Sequence, residues 1–520
     1  MRLGWIGGPD SLNPGTGVLS RSFIVYGLVY DTLFQLELDA TFSPSLVESW
    51  TSSDDGLLWT FRLRDDFFFH DGTPLTSRDV KFSLDLYKAR ADFPYLHGYT
   101  TVIDSVEAPD DRTVLMRLAH PIANFESQIG TLYILPEHVW RPWADRAVEF
   151  DNAAMIGSGP FSLVDFRPGE SVRLRANRRH PLTPPAVDEV VFVNYGTGDA
   201  LVQALRTGEL DAVTELPVTA TQRLRRDSRV EVVSGAPLSP RTWDVKLNQR
   251  DPARCPVGGV CSGHPALRDR TFRRALAMAT PKQELIDVVM LGFGVPGKTL
   301  IQASLGRWFN RALEDHPYDP GAANALLDAA GYLDRDGDGV RETPDGGRAL
   351  SLRFYFPNDF PAMPRAAELI GRAWTRIGVR LERRGLDTNA LAAARTPAFD
   401  YDVILWSWSA DVDPAFLLSV MTSDEIAQGA NDTGWSDPEY DALYLSQSRE
   451  LDVEERARQI WRMQEIALRD VVYIVPFYPD SAQAYRKGRF TGWRVGSPML
   501  AFEDRSTLAF LTPTRREAAP

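Results

Sequence analysis

The 520-residue sequence lacks any apolar run that approaches the roughly 18 residues of a membrane-spanning helix. It also lacks, at its start, the charged n-region and apolar h-region of a signal peptide. We expect the signal segment to be absent from this chain or already removed. With 44% hydrophobic and 24% charged residues, the chain has a globular composition and is long enough for two or three lobes with separate cores.

A basic stripe is also missing. The formal net charge is -13, and no cluster of lysine and arginine could neutralise a run of phosphates. We therefore expect no nucleic-acid partner. The seven histidines are scattered without an H-E-x-x-H motif, and no G-x-S-x-G motif is present, which argues against a zinc or serine hydrolase.

One motif typical of an enzyme does occur, GFGVPGKT at residues 292–299, which fits the phosphate-binding pattern G-x-x-x-x-G-K-[ST]. A working loop of this kind follows a strand and opens a helix, so that backbone N–H groups face the phosphates. Here residues 280–291 are predicted to be helical, and Pro296 interrupts the loop. An NTP-dependent enzyme is kept only as an alternative, and we expect no catalysis.

Cysteine is scarce, and Cys255 and Cys261 in CPVGGVC are the only two. The Pro and Gly residues between them allow a small disulfide ring, which would stabilise the fold by about 2 kcal/mol and imply an oxidising compartment. Two free thiols are the alternative. A metal site is disfavoured because His264 stands alone, without a second ligand at the usual spacing.

The stretch DRDGDGVRETPD at residues 334–345 has the oxygen-ligand spacing of an EF-hand loop, with Gly339 at the sharp turn. Its candidate ligands are Asp334, Asp336, Asp338 and Asp345. A helix is predicted before it, at residues 321–330. Two departures are an Asp where the twelfth position usually has Glu, and a strand-like exit at residues 350–356. The loop predicts a structural calcium site or, alternatively, a solvated Asp-Gly turn; we expect no other cofactor.

The stretch DVILWSWSADVDP at residues 402–414 joins an apolar run, typical of a buried strand, to a polar turn. Two tryptophans and two acids follow that run: Trp406, Trp408, Asp411 and Asp413. In open α/β folds ligands bind beyond the carboxyl ends of the strands, so these residues are candidate ligand contacts. The alternative is a core strand followed by an acidic turn that Pro414 ends.

Alternation and capping signals predict several further elements. The expected strands are residues 3–6, 59–64, 242–248, 471–477 and a pair within 157–175, and the expected helices are residues 22–34, 76–87 and 199–207. Thr76 is the predicted N-cap of the second helix, with Asp79 in a capping-box position. The two strands that flank the helical middle of the chain place an interlobe hinge near Val245 and near Val475.

The run at residues 44–85, PSLVESWTSSDDGLLWTFRLRDDFFFHDGTPLTSRDVKFSLD, resembles the signature of family 5 extracellular solute-binding proteins, the peptide, dipeptide and nickel receptors of ABC importers. Further segments look like the family's landmarks, in order. They are SLNP (11–14), GLVYDTLF (27–34), GSGPFSL (157–163), GELDAV (208–213), LRDRTFRRALAMA (267–279), WSDPEYDALY (435–444) and VPFYPDSAQAYR (475–486).

The resemblance implies an α/β fold of the periplasmic-binding-protein-like type II (cluster C), with two lobes around a cleft and an extra third domain. Lobe I is expected at residues 1–36, 156–243 and 473–520, the extra domain at 37–155, and lobe II at 244–472. It also implies a monomeric extracytoplasmic receptor, lipid-anchored in its full-length precursor. Such a receptor would capture a small peptide-like solute and deliver it to an ABC permease; an oligosaccharide or metal chelate is the alternative solute.

In peptide-binding members of the family, an acid just after a Trp-containing strand holds the ligand's terminal ammonium. Asp411 matches this acid, although the shorter turn leaves Asp413 as an alternative. Leu405 stands where some of these receptors carry an Arg for the far carboxylate, which puts that contact in doubt. Trp406 and Trp408 either line the pocket or pack in the core, and Tyr26 completes the ligand-binding candidates.

Overall fold

The computed structural model describes residues 1–93, 95–237, 240–358, 360, 362–409 and 411–514. The chain forms two compact units: unit 1 is Met1–Leu238 with Ser481–Pro520, and unit 2 is Ser239–Asp480. The observed borders of unit 2, at 238/239 and 480/481, differ by a few residues from the expected lobe borders at 243/244 and 472/473. Unit 2 is therefore slightly longer than the expected lobe II. The extra domain at 37–155 lies inside unit 1 and stays a prediction.

The elements are given in chain order. The first part of unit 1 contains strands β1 (Arg2–Ile6), β2 (Phe34–Leu36), β3 (Phe42–Pro44), β4 (Val47–Ser52), β5 (Leu58–Leu63), β6 (Ile103–Asp110), β7 (Thr113–Leu118), β8 (Phe161–Arg167), β9 (Ser171–Ala176), β10 (Glu189–Tyr195), β11 (Ala212–Val213) and β12 (Val230–Gly235). Its helices are α1 (Ser20–Val29), α2 (Ser77–Ala89), α3 (Leu96–Thr100), α4 (Phe125–Gln128), α5 (Glu137–Trp140), the 3-10 helix Arg141–Glu149, α6 (Gly198–Thr207) and α7 (Val218–Leu224).

Unit 2 contains strands β13 (Arg241–Leu247), β14 (Gly294–Pro296), β15 (Ser351–Pro357), β16 (Arg380–Leu386), β17 (Val403–Ser409) and β18 (Tyr473–Pro479). Its helices are α8 (Arg270–Met278), α9 (Lys282–Val289), α10 (Pro320–Ala329), α11 (Met363–Thr375), α12 (Thr388–Ala394), α13 (Ala415–Ser419), α14 (Glu425–Gln428), α15 (Pro438–Gln447) and α16 (Val453–Arg469), with 3-10 helices at Pro252–Arg254, Pro265–Arg268 and Ala303–Trp308. The last part of unit 1 adds β19 (Ser481–Arg486), β20 (Phe490–Thr491), α17 (Arg505–Leu508) and β21 (Thr512–Pro513).

In the described part of unit 1, a seven-stranded sheet runs in the order β12-β19-β11-β1-β10-β9-β8, with β1 parallel to both of its neighbours. An antiparallel sheet, β4-β5-β7-β6, lies within residues 37–155. Leu3 and Phe192 from the first sheet and Phe61 and Val114 from the second belong to one hydrophobic core. The two sheets are therefore stabilised by the same buried apolar surface.

Most of the elements predicted for unit 1 are confirmed, including β1, β5 and α2 with its capping box, in which Asp79 Oδ2 accepts the Thr76 N–H at 2.8 Å. The helix predicted at 22–34 is too long, because α1 ends at Val29. In a longer helix the Val29 carbonyl would accept the N–H of Leu33, but here it accepts that of Gly159 at 2.8 Å. A Cβ on Gly157 would come within 2.1 Å of the same oxygen, so this close approach requires glycine.

In the described part of unit 2, one sheet runs in the order β14-β18-β13-β17-β15-β16. Strands β15, β16 and β17 are parallel, whereas β13 is antiparallel to both β17 and β18. The carboxyl ends of the parallel strands and the first residue of β13 therefore lie at the same end of the sheet. We call this end of the sheet the β17 edge. One face of the sheet, with Trp243, Val245 and Leu405, packs into a large apolar core.

The predicted hinge positions are corrected by this arrangement. Val245 lies inside β13, which is hydrogen-bonded on both sides, and Val475 lies inside β18. A backbone rotation at either residue would break the ladder of a central strand. The chain instead passes between the units at 238/239 and at 480/481. Among the described residues, none of the helices combines the length and the apolar character that crossing a membrane requires.

Candidate ligand-binding site

Asp411 follows the carboxyl end of β17, two residues beyond Ser409. Its side chain is exposed and makes no hydrogen bond or ion pair with any residue that the structure describes. Partial shielding from water by the surrounding protein, together with the nearby negative charge of Asp413, raises the pKa of Asp411. A cationic group bound here would relieve both effects, so Asp411 remains the candidate acid of the site.

Asp413, the alternative acid, has its carboxylate occupied. Arg456 donates to Asp413 through two hydrogen bonds, Nη1 to Oδ2 at 2.6 Å and Nη2 to Oδ1 at 2.8 Å. Oδ1 also accepts the N–H of Ala415 at 2.9 Å, and the two charged side chains are only 2% and 8% exposed. The prediction that Asp413 faces the ligand is wrong, because this buried pair fixes the turn into α13 instead.

Trp406 and Trp408 are both partly buried, and a cation lies against each ring. The Lys246 ammonium is 4.6 Å from the Trp408 ring centroid, and the Arg395 guanidinium carbon is 5.0 Å from that of Trp406. Phe416, whose side chain is exposed, meets the Trp408 ring edge to face at 5.8 Å. Cation–π contacts thus hold both indoles in place. Because each ring is only partly buried, neither of the two predicted alternatives, pocket wall or core packing, is excluded.

The cations behind the two tryptophans are joined by one acid, Asp432. Lys246 Nζ lies 3.1 Å and Arg395 Nη1 3.0 Å from Asp432 Oδ2, and the Tyr473 hydroxyl donates to Oδ1 at 3.0 Å. Lys246 Nζ is also 2.9 Å from Asp244 Oδ1, and the side chains of Lys246, Asp244 and Asp432 are fully buried. Burial raises the pKa of Asp244 to about 6, which Lys246 opposes and Asp432 reinforces. This network stabilises the face of the sheet that carries both indoles.

Tyr26 lies in unit 1, in the core and not at a ligand surface. Its side chain is fully buried, and its hydroxyl donates to the carbonyls of Ser11 at 2.7 Å and Asn13 at 2.9 Å. It fixes the turn that leads into α1, and a Cβ on Gly17 would come within 2.2 Å of the hydroxyl. The prediction of Tyr26 as a ligand contact is therefore wrong.

The acidic loop brings three of its four predicted ligands together. Asp334, Asp336 and Asp338 each offer an exposed carboxylate oxygen, and these oxygens lie within 4.8 Å of one another. Asp345 is not part of this group, since its Oδ1 accepts the Thr343 hydroxyl at 2.5 Å and the Gly347 N–H at 3.1 Å. The inclusion of Asp345 is corrected, and calcium binding by the other three stays a prediction.

The GFGVPGKT segment does not have the structure of a phosphate-binding loop. It contributes strand β14 and follows helix α9, the reverse of the required order. The N–H groups of Lys298 and Thr299 donate to the Tyr478 hydroxyl at 2.9 and 3.1 Å, and Lys298 Nζ donates to the Leu313 carbonyl at 2.6 Å. Because the groups that would hold a phosphate are occupied, the nucleotide alternative is not favoured.

Cys255 and Cys261 form a disulfide, with their Cα atoms 5.8 Å apart. The N–H groups of Val260 and Cys261 donate to the Ala398 carbonyl at 2.7 and 2.9 Å, which ties the ring to the segment before β17. Of the two alternatives from the sequence, the structure therefore contains the disulfide. It closes a loop next to the segment that precedes β17 and contributes no side chain to the β17 edge.

Sequence reasoning missed Arg241, the first residue of β13 and the cross-strand partner of Ser409. Its side chain is partly buried, and its guanidinium carbon lies 5.2 Å from the ring centroid of Phe360. It makes no ion pair with any described residue; its side-chain hydrogen bond goes to the Ser407 hydroxyl at 3.4 Å. Burial lowers the pKa of Arg241. The alternation of apolar and polar residues at 242–248 predicts a strand. It gives no sign that Arg241, the residue before it, lacks an ion pair among the described residues.

Comparison with known proteins identifies relatives over nearly the whole chain. The probable D,D-dipeptide-binding periplasmic protein DdpA of Escherichia coli (strain K12) is 26% identical over 509 residues, 96% of this chain and 92% of the relative. Di/tripeptide-binding protein 2 of Pseudomonas aeruginosa is 28% identical over 494 residues, 89% and 85% of the two chains. These coverages show that the relatives correspond to the chain over both units.

Solved structures agree in fold. The ABC transporter substrate-binding protein CtaP of Listeria monocytogenes has a TM-score of 0.83 at 24% identity, over 99% of both chains. The oligopeptide-binding protein AppA of Bacillus subtilis, in complex with a nonapeptide, has a TM-score of 0.73 at 21% identity, also over 99% of both. The fold is thus of the type II periplasmic-binding-protein-like class, as expected.

The family model for "Bacterial extracellular solute-binding proteins, family 5 Middle" matches residues 41–428, well over half of the chain. The match contains the candidate site, from Arg241 to Asp411, and four of the eight landmark segments. The chain therefore belongs to family 5 of the bacterial extracellular solute-binding proteins, the substrate-binding proteins of ABC transporters.

Proposed function

We propose that this protein captures a small peptide-like solute and delivers it to the membrane permease of an ABC importer. The carboxylate of Asp411, which has no partner among the described residues and lies at the edge of the sheet where the parallel strands end, carries the proposal. The names of its relatives, a D,D-dipeptide-binding and a di/tripeptide-binding protein, support a peptide as the solute. Asp411 then accepts hydrogen bonds from the terminal ammonium of the peptide.

The surroundings of Asp411 suit this role. Trp408 and Phe416 offer flat apolar surface to peptide side chains of varied shape. The acids that could compete for the ammonium are unavailable to it, since Asp413 is paired with Arg456 and Asp432 with Lys246 and Arg395. A charge-assisted hydrogen bond contributes about 1.5 to 3 kcal/mol, so this contact accounts for roughly a ten- to hundredfold gain in affinity.

Family 5 proteins are extracytoplasmic, and we further propose that this one acts there as a monomer without catalysing a reaction. The Cys255–Cys261 disulfide supports an oxidising compartment. The occupied donor groups of the GFGVPGKT segment support the lack of NTP chemistry. A lipid anchor on the full-length precursor rests on the family resemblance alone.

The Asp411→Asn variant tests the role of this acid. We expect it to bind a free-amine peptide roughly ten- to a hundredfold more weakly than the wild type, while the melting temperature of the unliganded protein changes little, since the side chain is exposed. An N-acetylated peptide should bind the wild type about as poorly as the free peptide binds the variant. Isothermal titration calorimetry measures all three affinities.

Glu314→Gln is the matched control, because Glu314 is an exposed acid of unit 2 that lies between the 3-10 helix Ala303–Trp308 and α10. It should bind like the wild type. Equal affinities for the free and the acetylated peptide would show that the ligand is not held by its amine. The peptide assignment would then fail while the receptor fold stands.

A further inference from the structure

Unit 1 carries a positively charged surface that the candidate ligand site does not use. It lies where the C-terminal ends of α6, α7 and β19 meet, and we call it the basic patch. Its members are Arg206, Arg223, Arg225, Arg226, Arg229, Arg486, Lys487 and Arg489, all exposed except the partly buried Arg486. The whole chain has a formal net charge of -13, so this surface has the opposite sign to the molecule that carries it.

Three segments that are distant in the chain form the basic patch. β12 pairs with β19, and beyond that pairing the Lys487 N–H donates to the Arg229 carbonyl at 2.9 Å. Arg486 Nη1 donates to the carbonyls of Leu205 and Arg206 at 3.0 and 2.9 Å, which brings the end of α6 to the same place. The patch therefore exists only in the folded chain.

The acids beside the basic patch are too few to neutralise it. Asp227 Oδ2 is 2.7 Å from Arg229 Nη2 and 4.0 Å from Arg206 Nε, so one acid serves two arginines. The other ion pairs of the patch are Lys487 with Glu231 and Arg489 with Asp211. An excess of positive charge is left at the surface.

Part of the patch has a structural role, and part of it does not. Arg486 caps the last carbonyls of α6, where the helix dipole favours a cation. The side chains of Arg223 and Arg226, at the end of α7, are exposed and make no hydrogen bond or ion pair with any residue that the structure describes. These two guanidinium groups are free to bind an anionic partner.

We propose that the basic patch docks this protein on the anionic headgroups of the membrane that holds its transporter. A substrate-binding protein of an ABC transporter works beside a bilayer, so anionic phospholipid is a partner always within reach. Exposed, flexible side chains from several segments suit headgroups spread over a surface better than one small anion. At an ionic strength of about 0.1 M the Debye length is about 10 Å, so the acids elsewhere on the chain are screened from the contact.

Vesicle flotation tests the proposal on the chain expressed without a lipid group. One set of vesicles contains phosphatidylcholine alone, and the other contains equal parts of phosphatidylcholine and phosphatidylglycerol. We expect the protein to float with the anionic vesicles and not with the neutral ones. Raising the ionic strength to about 1 M shortens the Debye length to about 3 Å and should release the protein.

The double variant Arg223→Gln with Arg226→Gln tests whether the contact is made by the basic patch. Each cation near an anionic bilayer contributes roughly a fivefold gain in partitioning, so the variant should partition roughly twenty- to thirtyfold more weakly. Arg223→Lys with Arg226→Lys keeps the charges and should bind like the wild type.

The matched control is Arg311→Gln with Arg372→Gln, which removes the same charge from exposed arginines of unit 2. It should bind like the wild type. Equal flotation with neutral and anionic vesicles, or equal losses in the control and in the patch variant, would overturn the proposal. A wild type that ignores both vesicles but binds polyglutamate through Arg223 and Arg226 would assign the patch to an acidic protein partner instead. The proposed peptide site is unaffected by any of these results.

Discussion

The Oε2 atom of Glu503, just before α17, is buried and has no hydrogen-bond partner among the described residues. Burial raises the pKa of Glu503 to about 7, although the charge of Arg21 opposes the rise. An unfolded chain releases this proton near pH 4.3. Between about pH 4 and 7 the folded state therefore holds more protons, and the free energy of unfolding falls as the pH rises through this window.

Glu503→Gln should remove this dependence, since an amide stays neutral at every pH. We expect the variant to exceed the wild type in free energy of unfolding by about 3 to 4 kcal/mol at pH 8, with the difference shrinking towards zero near pH 4. Urea denaturation at a series of pH values measures the difference. A difference that does not change with pH would show that the carboxyl group ionises normally.

Single residues of the site were predictable where the signal was local. Asp411 could be named as a candidate because the acid, the tryptophans and the strand lie within ten residues of one another, and its contact with the ligand stays a prediction. Asp413 looked equivalent, and only Arg456, 43 residues later in the chain, excludes it. Arg241 could not be found, because its distinguishing property is the lack of an ion pair with any described residue, and that depends on every element packed around it.

The acidic loop between α10 and β15 is predicted to bind calcium, and this prediction can be tested on the isolated protein. If calcium binds the oxygens of Asp334, Asp336 and Asp338, millimolar calcium should raise the melting temperature, because binding to the folded state alone contributes about 2.7 kcal/mol at a hundred times the Kd. Asp336→Ala should abolish the rise. Differential scanning calorimetry with and without calcium measures it.

Asp345→Ala is the matched control for the loop, since its carboxylate lies outside the three-acid group and bonds to Thr343 and Gly347. It should keep the calcium-dependent rise. A melting temperature that calcium leaves unchanged in the wild type would identify the segment as a plain turn.

Helices and strands were predictable where their own residues determine them. The capping box of α2 and the alternation of β5 are encoded within a few neighbouring positions. Helix α1 ends at Val29 because the Val29 carbonyl accepts a hydrogen bond from the N–H of Gly159, more than a hundred residues later in the chain. The GFGVPGKT segment likewise becomes β14 because β18, far along the chain, offers it a pairing partner.

For the intact protein, we expect native mass spectrometry of material purified without denaturant to show one chain carrying the added mass of a peptide. The reason is that the carboxylate of Asp411, which has no partner among the described residues, would bind the ammonium of such a solute during expression. Fragmentation of the released solute identifies it. A dimer would contradict the proposed monomer, and a released oligosaccharide or metal chelate would replace the peptide as the solute.

The class of the whole fold was predictable from the order of the landmark segments, which cover both units. The expected crossings between the units, at 243/244 and 472/473, lie a few residues inside unit 2, because the chain crosses at 238/239 and 480/481. A sequence can indicate that residues 242–248 form a strand, but the sheet that a strand joins depends on partners elsewhere in the chain, here β17 and β18.

The network around Asp432 has a consequence for how this protein can evolve. Removing one member of a buried charge pair leaves the other uncompensated, at a cost of about 3 to 5 kcal/mol, and Asp432 serves both Lys246 and Arg395. No single substitution among the three is neutral, so a lineage can change them only together or after a stabilising change elsewhere. Because the same cations contact Trp406 and Trp408, a descendant that lost the network would also lose the contacts that hold these two rings in place.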